Sequence, residues 1–310
     1  MNIEKIHKQF LSSYLLLFST LFIFISVRLY LVDSQWNNLS FWACLVIQIG
    51  IAFFLLHLNH YFNIIQGHTL LPAFFYLLFV GINPAFYLDI NGSIASLCII
   101  LSYYFLFESF QKPESQINAL NISLLLVLGS LLWTPILFFF PVFWLGFHRF
   151  QCLNTRVFFA NLIGFVIVYL FIFTFSVFKN DINIFFSFLP QFNELFLFQN
   201  PELSFFDWLT VGFFLIILCV IGIYLFLINI SERLWTIYIL SFFYISAFII
   251  LIFFFLQTDY KSSWSLVSYI PLSILFGHFF SHSNKRIVQY LLFFFIIFFI
   301  GIGFAQHISS

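Results

Sequence analysis

The feature that most constrains this chain is a series of apolar runs, each followed by a short polar connection. A helix needs roughly 20 mostly apolar residues to cross the ~30 Å hydrocarbon core of a bilayer. Only 7% of the 310 residues are charged, against about 25% in a typical soluble domain, so they cannot coat a soluble globule of this size. The chain is therefore predicted to be an all-α polytopic membrane helical bundle. Residues 1–310 should form a single transmembrane domain with no soluble domain.

Nine windows are apolar enough to count as hydrophobic segments, although the third is short and has prolines near both ends. They are Phe10–Val32, Ser40–Leu58, Thr69–Ile82, Ser93–Phe110, Val157–Phe178, Asp207–Ile230, Trp235–Gln257, Trp264–Phe280 and Ile287–Ala305. The first follows a basic start and precedes no small-residue cleavage site. It is therefore interpreted as a retained helix and not as a cleaved signal peptide.

The region Leu120–Phe147 is too long for one span, because a straight helix of this length would measure ~42 Å. Trp133-Thr134-Pro135 lies at its centre, and a proline disfavours helical geometry at the residue before it. Two arrangements are open: one kinked span, or two short segments that turn back at the proline.

The distribution of basic residues favours the second arrangement. With the amino terminus inside and the chain folded back at 120–147, eight Lys and Arg residues face the cytoplasm and three face outward. A single kinked span would give five inside and six outside, against the positive-inside rule. We therefore predict about eleven hydrophobic segments, including a spanning or re-entrant pair at 120–147. The amino terminus should be cytoplasmic and the carboxyl terminus periplasmic.

Residues 179–206 form the longest connection and mix several Phe and Leu residues with Lys179, Asp181, Glu194 and Glu202. Such a segment is too polar to span the bilayer and too apolar to remain in water, so it should lie along the outer interface. It is either a tether between two spans or a lid over a lipid-facing site.

Several function classes are excluded by composition. The net charge is zero and basic residues do not cluster, which excludes a nucleic-acid partner. The four cysteines are far apart and form no Cys-x-x-Cys motif, so neither a disulfide framework nor a zinc site is indicated. Motifs for phosphate-binding loops, Ser nucleophiles and zinc proteases are missing from the sequence, and we expect no cofactor.

Polar residues near the predicted outer membrane surface are the main candidates for a site, because such groups are costly in a membrane. Arg28 lies five residues before Asp33 and could hold a lipid phosphate while Asp33 serves as a base. Alternatively, Arg28 extends to the membrane surface and pairs with a carboxylate there.

Asp33 and Asp89 both follow directly after predicted spans on the outer side. This placement resembles that of the catalytic acid in membrane-embedded polyprenyl-phosphate glycosyltransferases, which implies a catalytic role for both residues. The first outer loop, Asp33–Leu39, is shorter here than in those enzymes.

Other polar residues have simpler interpretations. His57 and His60, and His278 and His282, share helical faces, as a metal site requires. Di-iron membrane oxygenases, however, need about eight clustered histidines, so we predict no metal. Arg149 and Arg156 flank a short cytoplasmic turn, where they either bind a lipid or nucleotide phosphate or only anchor the topology.

Residues 59–170 resemble an uncharacterised (domain-of-unknown-function) family of multi-span inner-membrane proteins of the Bacteroidetes. The matching features are Gly67-His68-Thr69, Leu71-Pro72-Ala73, Asn83-Pro84, a span ending near Glu108, the stretch Gly129–Pro135, Arg149, Arg156 and Gly164. The resemblance implies the cytoplasmic membrane of a Gram-negative cell and supplies no catalytic residue.

Two function hypotheses follow. In the first, the protein acts in envelope biogenesis and handles a lipid-linked substrate at the outer face, as a glycosyltransferase-like enzyme or a flippase. In the second, it is a non-enzymatic subunit or scaffold that binds a membrane protein partner. A metal-dependent oxygenase and an ion-coupled transporter are less favoured, since charged residues are nearly missing from the centres of the spans.

Overall fold

The computed structural model describes residues 14–31, 38–65, 69–82, 84–112, 114–189, 212, 215–216, 218–225, 234–256, 261–282 and 301. Within these residues the secondary structure is helical and no strand occurs. The α-helices are α1 Tyr14–Leu31, α2 Leu39–Phe62, α3 Leu71–Ile82, α4 Ile90–Glu108, α5 Gln116–Ser130, α6 Phe139–Arg149, α7 Thr155–Phe178, α8 Asn183–Phe188, α9 Leu234–Leu256 and α10 Lys261–His282. Short 3-10 helices occupy Pro84–Phe86 and Thr134–Phe138.

Five helices are long and apolar enough to cross a membrane, which agrees with a membrane helical bundle. They correspond to α2, α4, α7, Trp235–Phe254 within α9 and Ser262–Ser281 within α10. The shorter apolar helices Thr20–Leu29, Leu71–Gly81 and Gln116–Ser130 add to them. The larger count of eleven segments stays a prediction, because the windows at 207–230 and 287–305 lie mostly outside the described residues.

The chain divides into two compact units, one of residues 1–93 with 199–310 and one of residues 94–198. In the first unit, α10 is almost wholly buried and packs against α3 through aromatic rings. Phe75 stacks on Phe280 with ring centroids 5.5 Å apart, and Phe79 meets Phe276 at 5.5 Å. In a membrane bundle such ring contacts stabilise the helix pair through close van der Waals packing.

In the second unit the two ends of the segment from α5 to α6 lie close together. The amide of Gln111, just after α4, donates to the carbonyl of Phe150, just after α6, at 3.2 Å. The hairpin of α5 and α6 therefore returns to the end of the bundle at which it began. Trp144 of α6 packs on Phe158 near the start of α7, with ring centroids 5.0 Å apart.

A proline disfavours helical geometry at the residue before it, which here is Thr134. In the structure the helix is interrupted one residue earlier, at Trp133. Trp133 is the extended residue (φ −141°, ψ 91°), whereas Thr134 already belongs to the 3-10 helix and Pro135 lies in its first turn. A first-turn residue needs no N–H for helical hydrogen bonding, so proline is tolerated there. The turn therefore combines an extended Trp133 with a proline-initiated helix.

Helices α5 and α7 cross at very short range and run in the same direction. A Cβ atom built at Gly164 would overlap the Ser123 hydroxyl oxygen and lie 3.0 Å from the carbonyl oxygen of Leu120. Further along, Val127 packs against Val168 and Tyr169. Glycine is thus required at 164 by the separation of the two helices.

The predicted interfacial connection is described only up to Leu189. Its helix α8 folds back on α7, where Phe185 packs edge to face on Phe173 at 5.4 Å. Residues 190–206 lie outside the described residues, so the placement of the whole segment at the outer interface stays a prediction.

Candidate functional site

Arg28 is a fully buried cation at the end of α1. One terminal nitrogen, Nη1, donates to Gln48 Oε1, and the other, Nη2, donates to the carbonyl of Tyr87 at 3.0 Å. The alternative in which this side chain extends to the membrane surface and pairs with a carboxylate there stays a prediction. Its placement toward the protein interior is typical of functional intramembrane charges.

Aromatic rings enclose the guanidinium group of Arg28. Its central carbon lies 4.5 Å from the ring centroid of Tyr87, 5.1 Å from that of Phe41 and 5.6 Å from that of Phe24. A cation over the face of an aromatic ring is attracted to the ring's negative quadrupole, and the attraction grows when water is excluded. These rings stabilise the charge without neutralising it.

Gln48, in the middle of α2, fixes the orientation of Arg28. Its side chain is fully buried, and its amide nitrogen Nε2 donates at 3.1 Å to both the Phe86 carbonyl and the Ser93 hydroxyl. With both donor hydrogens committed, its amide oxygen must face Arg28. Gln48 was not among the residues predicted for a site, although a glutamine within the apolar run 40–58 is a signal of a buried polar group.

The charge of Arg28 has no ion-pair partner in the described part of the chain. The groups that accept from Arg28 are a neutral amide and a backbone carbonyl. Asp33, the predicted partner, lies outside the described residues. Transfer of an arginine into a protein interior costs several kcal/mol unless the charge is compensated.

Asp89 caps the start of α4 and links it to α10. Its Oδ1 accepts from the Gly92 amide at 2.8 Å, and its Oδ2 accepts from the Ser263 hydroxyl at 2.8 Å. It is also joined to the Arg28 site, since the Ser93 hydroxyl donates to the Asp89 carbonyl at 2.8 Å and accepts from Gln48. Its carboxylate oxygens thus serve as acceptors in a helix cap, and its catalytic role stays a prediction.

Arg28 Nε and the hydroxyl of Tyr76 are buried donors that have no acceptor among the described residues. Tyr76 lies in the middle of α3 and is fully buried. Neighbouring Tyr87 differs, because its hydroxyl donates to the Gly81 carbonyl at 2.7 Å. Buried polar groups usually find a partner, so these two donors require an explanation. Tyr76 could not be singled out in advance, since tyrosine is common in this chain.

Arg149 and Arg156 belong to the other compact unit, and both are exposed. Arg149 is the last residue of α6, where a cation interacts favourably with the helix dipole. Arg156 is the second residue of α7. Their predicted role in binding a phosphate group stays a prediction.

The histidines take different positions. Exposed His57 packs on Tyr61 with ring centroids 5.9 Å apart, whereas His278 is buried 6.1 Å from the ring of Tyr224. Within the described ranges, no three His, Cys, Asp or Glu residues form a group that could hold a metal ion.

No known protein family, curated protein or solved structure matches the chain. The resemblance of residues 59–170 to an inner-membrane family of the Bacteroidetes therefore stays a prediction.

Proposed function

We propose that this chain is a multi-pass inner-membrane protein of envelope biogenesis that binds a lipid-linked, polyprenyl-phosphate substrate at the outer face. The observation that carries the proposal is the buried guanidinium of Arg28, whose acceptors in the described residues are neutral. A phosphate group would supply the missing negative charge. An ionisable residue inside a membrane bundle is a functional candidate for this reason.

The geometry around Arg28 suits recognition of an anion. Gln48 and the Tyr87 carbonyl hold the guanidinium in place, so little conformational freedom is left to lose when a ligand binds. A hydrogen bond to a charged group contributes about 1.5–3 kcal/mol. One such bond therefore accounts for roughly a 10- to 100-fold gain in affinity over the same lipid without phosphate.

The proposed orientation rests on the basic residues. Within the unit of residues 94–198, exposed Lys112, Arg149 and Arg156 lie at the end where α4 and α6 finish and α7 starts. Lys179 lies at the opposite end of α7. Three cations against one support a cytoplasmic location for the first end. By the same rule Lys5 and Lys8 favour a cytoplasmic amino terminus, so that Arg28, near the end of the first predicted span, would belong to the outer half of the membrane.

We further propose that α5 and α6 form a re-entrant hairpin. Their 15 and 11 residues measure ~22 Å and ~17 Å at 1.5 Å per residue, less than the ~30 Å hydrocarbon core. Non-helical backbone within the hydrocarbon core is tolerated where it is buried in protein. The turn meets this condition, because Trp133 is only 2% exposed.

Of the two forms of the first hypothesis, binding or flipping of the lipid has more support than glycosyl transfer. A general base must reach the proton it removes, whereas the Asp89 carboxylate accepts hydrogen bonds from Gly92 and Ser263. Asp33 remains the candidate acid of the transferase form. Replacement of Asp33 by Asn with unchanged surface glycans would argue against that form.

The second candidate function is that of a non-enzymatic subunit that binds a membrane protein partner. It is favoured by the connections of Arg28, which joins α1 to α2 through Gln48 and to the turn before α4 through Tyr87. In this case the cation only holds helices together, and its replacement would lower stability without changing lipid binding.

The two candidate functions can be distinguished by measuring lipid binding to the purified protein in phosphatidylcholine nanodiscs. Native mass spectrometry would compare polyprenyl phosphate with the corresponding polyprenol. We expect wild type to retain the phosphate form about 10- to 100-fold better. Arg28→Gln should lose this preference, whereas Lys179→Gln, which removes an exposed cation, should keep it.

Gln48→Glu sharpens the test, because it places a carboxylate against the guanidinium with little change in size. The new carboxylate should pair with Arg28 and compete with the phosphate group of the ligand. A folded Gln48→Glu variant should therefore bind polyprenyl phosphate more weakly than wild type does. If Arg28 is purely structural, Gln48→Glu and Arg28→Gln will both leave the phosphate preference unchanged. Equal retention of polyprenol and polyprenyl phosphate by wild type would contradict the proposed function.

A further inference from the structure

We infer that Tyr87 is a positioning residue of the Arg28 site, because its hydroxyl fixes the connection between α3 and α4 that holds the guanidinium. This stretch, residues 84–89, is called the α3–α4 connection below. The inference rests on the proposed function and names a residue that sets the affinity of the same site for a phosphate group. It is carried by the hydrogen bonds that join the connection to Arg28, to Gln48 and to α3.

The backbone of the α3–α4 connection supplies acceptors to both members of the Arg28–Gln48 pair. The Tyr87 carbonyl accepts from Arg28 Nη2 at 3.0 Å, and the Phe86 carbonyl accepts from Gln48 Nε2 at 3.1 Å. The ring of Tyr87 also lies over the guanidinium, with its centroid 4.5 Å from the central carbon. The conformation of two consecutive residues therefore decides where the guanidinium is held.

A side-chain bond of Tyr87 fixes this conformation. Only Pro84–Phe86 is helical in the connection, as a single 3-10 turn, so its backbone lacks the hydrogen-bond ladder of an α-helix. The buried Tyr87 hydroxyl donates at 2.7 Å to the carbonyl of Gly81, in the last turn of α3. The last four carbonyls of a helix have no partner within the helix. This bond therefore satisfies one of them and ties the connection to α3.

The bond can influence ligand affinity through preorganisation. A phosphate group binds the chains in which the connection is ordered and Arg28 is held in place, so the apparent affinity scales with their fraction. A neutral hydrogen bond shifts an equilibrium of this kind by about 2- to 10-fold. Loss of the Tyr87 hydroxyl should therefore weaken phosphate binding by no more than about 10-fold.

The test compares Tyr87→Phe with wild type in phosphatidylcholine nanodiscs. The variant keeps the ring and the backbone carbonyl and loses only the hydroxyl. We expect its affinity for polyprenyl phosphate to fall about 2- to 10-fold, whereas its affinity for polyprenol should stay unchanged, because the guanidinium recognises the phosphate group. Gly164→Ala is the control, since it disturbs the crossing of α5 and α7 in the other unit, and its phosphate preference should equal that of wild type.

Two further measurements separate positioning from a general loss of stability. In the Arg28→Gln background, Tyr87→Phe should not change lipid binding further, because the group that it positions is missing. Without ligand, hydrogen–deuterium exchange of the amides at 85–89 should be faster in Tyr87→Phe than in wild type and unchanged in Gly164→Ala. Equal losses of affinity with and without Arg28, or unchanged exchange in Tyr87→Phe, would overturn the inference.

The outcome for the inference can be told apart from that for the proposed function. If Arg28→Gln loses the phosphate preference while Tyr87→Phe keeps it, the inference is overturned and the proposed function stands. If Gly164→Ala loses as much of the preference as Tyr87→Phe does, the effect is one of general stability and the inference is likewise overturned. A wild-type chain that binds polyprenol and polyprenyl phosphate equally would overturn both.

Discussion

Replacement of Gly164 by alanine should destabilise the protein through the crossing of α5 and α7. The new Cβ would overlap the hydroxyl oxygen of Ser123 and would lie 3.0 Å from the carbonyl oxygen of Leu120. A hydroxyl can rotate, although that of Ser123 would give up its 2.9 Å hydrogen bond to Leu120. A backbone carbonyl cannot rotate away, so the two helices must separate.

The expected cost follows from this geometry. Insertion of a methyl group into a closely packed core typically lowers stability by about 1–3 kcal/mol, and the crossing at Gly164 has contacts tighter than ordinary van der Waals separation. Ser123→Ala removes the overlapping oxygen but leaves a Cβ 3.0 Å away. The double variant should therefore recover part of the loss, with a coupling energy of about 1 kcal/mol.

The assay is unfolding of the purified protein in mixed micelles by SDS, followed by tryptophan fluorescence. Gly50→Ala is the control, because nothing lies within 4 Å of its added Cβ, and its unfolding free energy should equal or slightly exceed that of wild type, since alanine is the better helix former. If Gly164→Ala proves as stable as Gly50→Ala, the close crossing of α5 and α7 is refuted.

Three further predictions use the same unfolding assay. Asp89→Ala should lower the unfolding free energy by about 1–2 kcal/mol, because α4 loses its amino-terminal cap and its link to Ser263. Gln151→Gly should raise it by up to about 1 kcal/mol, since φ at this exposed residue is 58° and glycine adopts that region freely. Burial raises the pKa of the Cys152 thiol from 9.0 to about 11. The buried neutral thiol should therefore contribute fully to the unfolding free energy below pH 9, and this contribution should be lost as the pH rises toward 11. Cys152→Ala should flatten that part of the pH profile, and a profile identical to that of wild type would contradict the argument.

The helices were predictable from the sequence because a bilayer demands continuous apolar runs, and the windows at 40–58 and 157–178 match α2 and α7 closely. The turn after α5 was predictable for a different reason. A proline interrupts a helix near its own position, and the chain is extended at Trp133, two residues before Pro135. The reversal across the membrane that the positions of Arg149 and Arg156 favour stays a prediction.

The partners of Arg28 could not be predicted in this way. The sequence suggested Asp33, five residues away, whereas the described acceptors lie 20 residues away at Gln48 and 59 residues away at Tyr87. Contacts of this range depend on which face each helix turns to its neighbours. Phenylalanine lines both buried and exposed faces here, as Phe75 and Phe171 show, so hydrophobic periodicity does not mark the inner face.

The proposed topology depends most directly on which side of the membrane each end of α7 faces, because the predicted fold-back at 120–147 makes α7 start at the cytoplasmic side. Single cysteines at Leu153 and Asp181, both exposed and outside α7, would be introduced into a cysteine-free chain and labelled with a membrane-impermeant maleimide. We predict that Asp181→Cys reacts in intact cells after permeabilisation of the outer membrane alone, and that Leu153→Cys reacts only once the inner membrane is opened. The reverse pattern, or labelling of both from one side, would contradict the account.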